Sequence, residues 1–214
     1  MRGVAVFDLD GTLTWHDTLA GYLAGALRAR PARCWRLWSL PFALAAFALD
    51  RDRGRLKGRV VRAVLGGLGR EQVAALTRRF VERRLPGLLR PAALETLERH
   101  RAAGDLRVLL SASPDCYVPA IGAALGFDEV LCSELRWDGE RLDGRLATPN
   151  RRGAEKVACV EALRRRYPGA RFAAYGNAAS DLPHLLLVEA PLLVNATRAA
   201  AREARRRRIP TAQW

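Results

Sequence analysis

The stretch VAVFDLDGTLTWHDT, residues 4–18, constrains the fold more than any other part of the chain. Four apolar residues bounded by an aspartate and then a glycine have the length and flanks of a buried strand in a protein of mixed helices and strands. Asp8 then stands at the C-terminal end of that strand. Side chains two residues apart project to the same side of extended backbone. Asp8 and Asp10 therefore face one small volume if the strand geometry persists, and Gly11 lets the chain turn away. Two anions held so close repel, and a cation, a shared proton or solvent has to offset the cost. A metal ion is the answer these residues favour.

The 214 residues suffice for one substantial core and a small inserted domain, and half of them are hydrophobic. From 17 to 89 the pattern is helix after helix. Apolar positions Leu19, Tyr22, Leu23, Ala26 and Leu27 predict a helix over 17–28, which Pro31 ends or restarts. Amphipathic helices follow over 55–65 and 71–85, separated by Gly66, Gly67 and Gly69, and Pro86-Gly87 closes the insert. From Pro91 the pattern alternates. Helices are expected over 91–103, from a Ser113-Pro114 start to about Leu125, and over 151–166, 181–188 and 198–208. Strands are expected over 106–112, 129–134, 171–175 and 191–195, and Asp138-Gly139 marks a hairpin within 134–146. Alternation of this kind implies an α/β fold with a mostly parallel sheet covered by helices on both faces. No internal repeat is visible.

In a doubly wound sheet, functional residues gather beyond the C-terminal strand ends. Asp8, Ser111 and the stretch YGNAASD, residues 175–181, all fall at such ends. Lys156 lies near the start of a predicted helix. It and Lys57 are the only lysines among 36 basic residues, which hints that a compact ammonium is wanted there.

DLDGTLT, SAS, Lys156 and GNAASD together resemble the four ordered motifs of the haloacid dehalogenase superfamily, across almost the whole chain. The layout is similar to its phosphoserine-phosphatase-like branch, including phosphatidylglycerophosphatase-type enzymes. The resemblance implies a Rossmann-like, three-layer, doubly wound parallel sheet, with 1–16 and 90–214 as the catalytic core and 17–89 as an inserted α-helical cap. It also implies a Mg²⁺-dependent phosphomonoester hydrolase working through an aspartyl phosphate. Asp8 is then the nucleophile, Asp10 the general acid and base, and Lys156 a second positive charge. Thr12, Ser111, Ala112 and Lys156 hold the phosphoryl group, helped by the helix start at Pro114. Asp8, Asp10 through its backbone carbonyl, Asn177 and Asp181 surround the metal. An acid at the position of Asp10 is what the superfamily's phosphatases carry. At Asn177 the motif commonly has Asp, so this chain offers an amide oxygen in place of a charge.

Other chemistries find less support. Cys34, Cys116, Cys132 and Cys159 show neither zinc-ligand spacing nor a disulfide framework and are expected to be reduced core residues. His16, His100 and His184 show no ligand spacing and are read as structural or exposed. The net charge of +14 would suit nucleic acid. Arginine, alanine, leucine and glycine dominate throughout, however, which reads as a general compositional bias, and no nucleic-acid-binding motif is present. A nucleic-acid-binding module, or an inert protein on the same fold, is the non-enzyme alternative. No secretory leader precedes Asp8, so a cytoplasmic location is expected.

The substrate turns on residues 34–50. Residues 37–49 are apolar apart from Ser39 and are flanked by arginines. The run is too short to span a bilayer, which needs ~20 apolar residues. Two readings stay open. A helix kinked at Pro41 dips into an anionic membrane surface at the inner face, with Trp35 and Trp38 at headgroup depth and a lipid phosphomonoester as substrate. Alternatively the helix is buried in the cap or against a partner, and the substrate is a soluble ester such as phosphoserine.

Overall fold

A computed structural model describes residues 3–214. Strand β1 (Val4–Phe7) lies at the centre of a six-stranded, wholly parallel sheet of order β3-β2-β1-β6-β7-β8. The other strands are β2 (Leu106–Pro114), β3 (Glu129–Ser133), β6 (Phe172–Gly176), β7 (Ala190–Val194) and β8 (Thr211–Ala212). Ala5 and Phe7 point into one core layer, Val4 and Val6 into the other. The first layer holds α6 (Val118–Ala124) and α5 (Pro91–Ala102); the second holds α7 (Ala154–Arg166), α8 (Leu182–Leu185) and α9 (Arg198–Arg206). Burial on both faces explains why β1 and β2 read as continuous apolar runs. Each fully buried leucine or phenylalanine there contributes roughly 1.5–3 kcal/mol. The α/β, three-layer expectation holds.

Between β1 and α5 lie four helices: α1 (Thr18–Ala29), α2 (Leu40–Asp50), α3 (Arg53–Leu65) and α4 (Arg70–Arg83). Asp17 caps α1 through Leu19 N and Ala20 N, and Asp52 caps α3 through Gly54 N and Arg55 N. The chain leaves the sheet and returns to it at one point. Trp15 N donates to Leu88 O and Arg90 N to Leu13 O, both at 2.9 Å. The Arg90 guanidinium clamps this junction, donating to Thr14 O (3.1 Å) and lying over the Trp15 ring.

The antiparallel hairpin of β4 (Leu135–Asp138) and β5 (Arg141–Leu146), predicted from Asp138-Gly139, packs against α3. Contact is close enough that a Cβ on Gly144, at φ +90°, would sit 2.7 Å from Arg62 Cα.

Several expectations need correction. No helix starts at Ser113-Pro114: β2 continues to Pro114, opposite Ser133 after a register shift, and α6 begins at Val118. A proline at an irregular strand end costs no ladder bond, so it marked the end of a strand. The 181–188 helix is a tight turn, Ala179–Asp181, followed by the single turn α8. Strand β8 had no sequence signal. Cys34 is exposed and Cys116 half-buried; Cys132 and Cys159 are core residues. The break near Pro41 falls before it: Pro31–Ser39 is a 3₁₀ stretch, and Pro41 sits in the first turn of α2, where it is tolerated. Among the described residues no helix is long and apolar enough to cross a membrane.

Candidate active site

The sheet brings three strand ends together because β2, β1 and β6 are neighbours. After β1 the chain makes a wide turn, Leu9–Leu13, closed by Thr14 N donating to Leu9 O at 3.2 Å. Gly11 serves this turn at φ +80°. A Cβ there would be strained at this φ and would lie 2.0 Å from Asn177 Nδ2, so the amide would have to move aside. Space at Gly176, at the end of β6, is also tight, since a Cβ would fall 2.7 Å from Asp181 Cβ.

Lys156, in the first turn of α7 and 2% exposed, joins the loops electrostatically. Its Nζ donates to Asp8 Oδ1 at 2.7 Å and to Asp181 Oδ1 at 2.8 Å. Thr12 Oγ1 donates to Asp8 Oδ2 at 3.0 Å. Asp181 Oδ2 accepts from Asn177 N (3.1 Å) and Ala178 N (3.0 Å). Burial lifts the Asp8 carboxyl to about 6 against the pull of Lys156, with the charges of Asp181 and Asp10 adding to the rise. Burial also opposes the Asp181 charge, but Lys156 and the Ala178 N–H hold that carboxyl below its ordinary value. Burial would lower Lys156, yet the two carboxylates keep its ammonium above the usual range.

Asp10 has its own cradle. Its Oδ1 accepts from Thr18 N (2.6 Å) and Thr18 Oγ1 (2.7 Å), and its Oδ2 from Ser113 Oγ (2.7 Å). Thr18 Oγ1 in turn lies 2.9 Å from Tyr117 OH. Burial, then the charge of Asp17, raises the Asp10 carboxyl, while these donors oppose the rise.

Of these residues, Asp8, Asp10, Ser113, Lys156, Asn177 and Asp181 line a cavity of about 210 Å³. Asp8, Asp10 and Asp181 stand with Lys156 on this lining, and Lys57 is near enough to feel the charge of Asp10. No three His, Cys, Asp or Glu side chains among the described residues are grouped to hold a metal by themselves. The donor set is mixed: carboxylates, the Asn177 amide and backbone carbonyls. That suits Mg²⁺, which is commonly bound by one or two carboxylates together with water and substrate phosphate.

The profile of the haloacid dehalogenase-like hydrolases matches residues 5–186, from β1 to the end of α8. The chain belongs to this family. Protein CicA of Caulobacter vibrioides is 36% identical over 189 residues, covering 87% of this chain and 83% of CicA. Among solved structures, a Bordetella pertussis protein of unknown function shares the fold with TM-score 0.82, 22% identity and coverage of 99% and 98%. A probable phosphoserine phosphatase of Vibrio cholerae follows at TM-score 0.72 and 14% identity, covering 99% of this chain and 60% of its own.

In this hydrolase, Asp8, Asp10, Ala112, Lys156, Asn177 and Asp181 all border the cavity. Ser111 and Thr12 are fully buried behind it. Ser111 Oγ accepts from Ser113 N at 3.0 Å, and the wall beside it is formed by Ala112 and Ser113. Sequence reading took Ser113 for a helix cap, whereas it holds Asp10. It missed Thr18 and Tyr117, which gave no signal at a distance of eight and over a hundred residues from Asp10. It also missed the cations Arg53, Lys57 and Arg152 on the outer wall. Lys57 reaches across from α3, donating to Ala112 O (2.5 Å) and Asn150 Oδ1 (2.7 Å). Burial lowers it to about 8, against the pull of Asp10 and Asp17. Its rarity as a lysine was the available clue.

Proposed function

We propose that this protein is a phosphomonoester hydrolase working through an aspartyl phosphate on Asp8, with Mg²⁺ as cofactor. The observation that carries the reading is the buried Asp8–Lys156–Asp181 chain beside the separately cradled Asp10, in one cavity. An Asp8 carboxylate oxygen bonds to phosphorus as the ester P–O bond breaks, and Asp10 gives its proton to the departing alkoxide. In the second half Asp10 takes a proton from water, whose oxygen bonds to phosphorus as the Asp8 O–P bond breaks. Lys156 fixes Asp8 and tempers its charge against the incoming phosphate. Bound Mg²⁺, held by Asp8, the Asp10 carbonyl, Asp181 and Asn177, would supply positive charge to the phosphoryl oxygens.

The outer wall narrows the substrate. Arg53, Lys57 and Arg152 line it, with Asp10 and Asp17 facing Lys57, and three cations together favour a leaving group with a further anionic group. A lipid phosphate such as phosphatidylglycerophosphate satisfies this, and the exposed apolar surface of α2 favours it, with the protein at the inner face of the membrane. A soluble ester such as phosphoserine satisfies it too, and the small cavity favours that second reading. Phosphate release from an aryl phosphate, with and without Mg²⁺, tests the class. The native chain should turn over only with the metal, and Asp8→Asn should lose at least ~10³-fold in rate, as removal of a covalent nucleophile does. Normal turnover by Asp8→Asn would overturn the mechanism.

A further inference from the structure

A strongly apolar helix of the molecule, α2, is also one of its least covered. In α2 only Ala43 is buried, and the preceding Pro31–Ser39 stretch buries nothing. Phe42, Ala45 and Leu49 are exposed at spacings of three and four on one side of α2, with exposed Leu44 beside them and Trp38 in the 3₁₀ stretch just before the helix. Trp35, Trp38, Phe42 and Leu49 are 69%, 63%, 67% and 89% exposed. Leu40 and Phe47 are half-buried and face the rest of the cap.

Charge frames this stripe. Residues 30–62 carry eight arginines and Lys57 against two aspartates, Asp50 and Asp52. Asp50 lies 3.5 Å from Arg59, Asp52 lies 3.3 Å from Arg55, and Asp143 from the hairpin lies 3.1 Å from Arg62. Arg51 and Arg53 are exposed at the α2–α3 corner. Beside the stripe a cavity of about 410 Å³ is lined by Trp35, Trp38, Phe42, Arg36, Arg59 and Arg62. Arg59 Nη1 is buried at its edge with no hydrogen-bond partner among the described residues.

We infer that this face of the cap docks on the surface of an anionic lipid bilayer. The inference names the partner from which the proposed enzyme draws its substrate, and to that extent rests on the phosphatase reading. Apolar side chains enter the acyl boundary, the two tryptophans sit at headgroup level, and the arginines meet lipid phosphate. A second copy of the chain fits less well, because an isologous contact would set one cationic rim against another. Docking also places the active site usefully. α2 ends at Asp50, and α3 begins at Arg53, whose side chain and that of Lys57 line the active-site cavity, so the docked face adjoins its mouth.

The test is sedimentation of the full chain with vesicles of phosphatidylcholine and phosphatidylglycerol in equal parts, and with vesicles of phosphatidylcholine alone. Binding to the mixed vesicles should be at least about tenfold stronger and should weaken as salt rises. Trp38→Ser/Phe42→Ser/Leu49→Ser should lower it at least about tenfold while leaving hydrolysis of a soluble aryl phosphate unchanged. Leu49→Glu, at the most exposed of these positions, should act in the same direction if the triple variant fails to fold. Failure to sediment with mixed vesicles, equal binding to both kinds, undiminished binding by the variants, or a stable dimer that ignores vesicles would each overturn the docking. Vesicle binding without hydrolysis of any phosphomonoester would remove the phosphatase reading and leave the docking supported.

Discussion

Replacing Lys156 by Met tests the electrostatic centre of the site without any metal. The change keeps a chain of similar length but strips the one cation that touches both Asp8 Oδ1 and Asp181 Oδ1, in a place where all three side chains are buried. Removing one partner from a buried ion pair costs about 3–5 kcal/mol, because the remaining charge is left uncompensated. Here two carboxylates lose their partner together, so the upper end of that range applies. In a chain of this size ~1 kcal/mol shifts the melting temperature by about 2–4 °C, which puts the expected fall at roughly 10–20 °C. The assay is thermal unfolding in EDTA at pH 7.5. Adding Asp181→Asn to the variant should restore part of the loss, since one orphaned charge disappears with it. Acidification should help as well, because protonation quenches both orphans. A Lys156→Met variant that melts within ~2 °C of the native chain in EDTA would show that the two contacts carry no net stabilisation.

Three further outcomes are expected. Burial raises the Asp8 carboxyl from 3.8 to about 6, so the metal-free folded state binds a proton more tightly than the unfolded chain. Its contribution to stability is therefore full below about pH 4 and lost as pH rises through 6; melting temperatures in EDTA should fall over that window in the native chain and fall less in Asp8→Asn. Asp10→Asn should slow hydrolysis of alkyl phosphates far more than that of aryl phosphates, whose leaving groups need no proton, and equal losses would remove Asp10 as the acid. Asn177→Asp should lower the Mg²⁺ concentration for half-maximal activity, and a titration in which it changes nothing while Asp181→Asn abolishes activity would place Asn177 outside the metal shell.

The parts of the site that lie along one short segment were legible in the sequence. β1, the Asp8-x-Asp10 pair and the Gly11 turn follow from local pattern, and rarity singled out Lys156 before its two carboxylate contacts were known. The cradle of Asp10 was not legible, because Thr18, Ser113 and Tyr117 come from three elements that only the closed fold brings together. Ser113-Pro114 was misread because a proline beside a serine fits a helix start as well as an irregular strand end, and only the pairing with Ser133 decides between them. The hairpin was found, but its packing on α3 depends on Gly144 and Gly58 allowing two backbones to meet, which no periodicity encodes.

The central place of β1 has a consequence for how the protein is made. Val4 pairs with Leu106 on one side and with Phe172 on the other. During synthesis the apolar strand that leads into Asp8 has no sheet partner until Leu106 follows, and its second partner, Phe172, comes only after 168 further residues have been added. At about 5–20 residues per second that delay is roughly 10–30 s. Of the helices between residues 17 and 83, α1 packs on α3 and α4 and α2 on α3, contacts that can form meanwhile, whereas α3 also packs on β5 and α4 on α6, which come later. These helices thus begin to assemble before the sheet is complete, and Asp8, Lys156 and Asp181 come together only after Asp181 has been made, among the last events of folding. An enzyme built in this order stays catalytically silent on the ribosome, and its first strand is the segment most in need of shelter there.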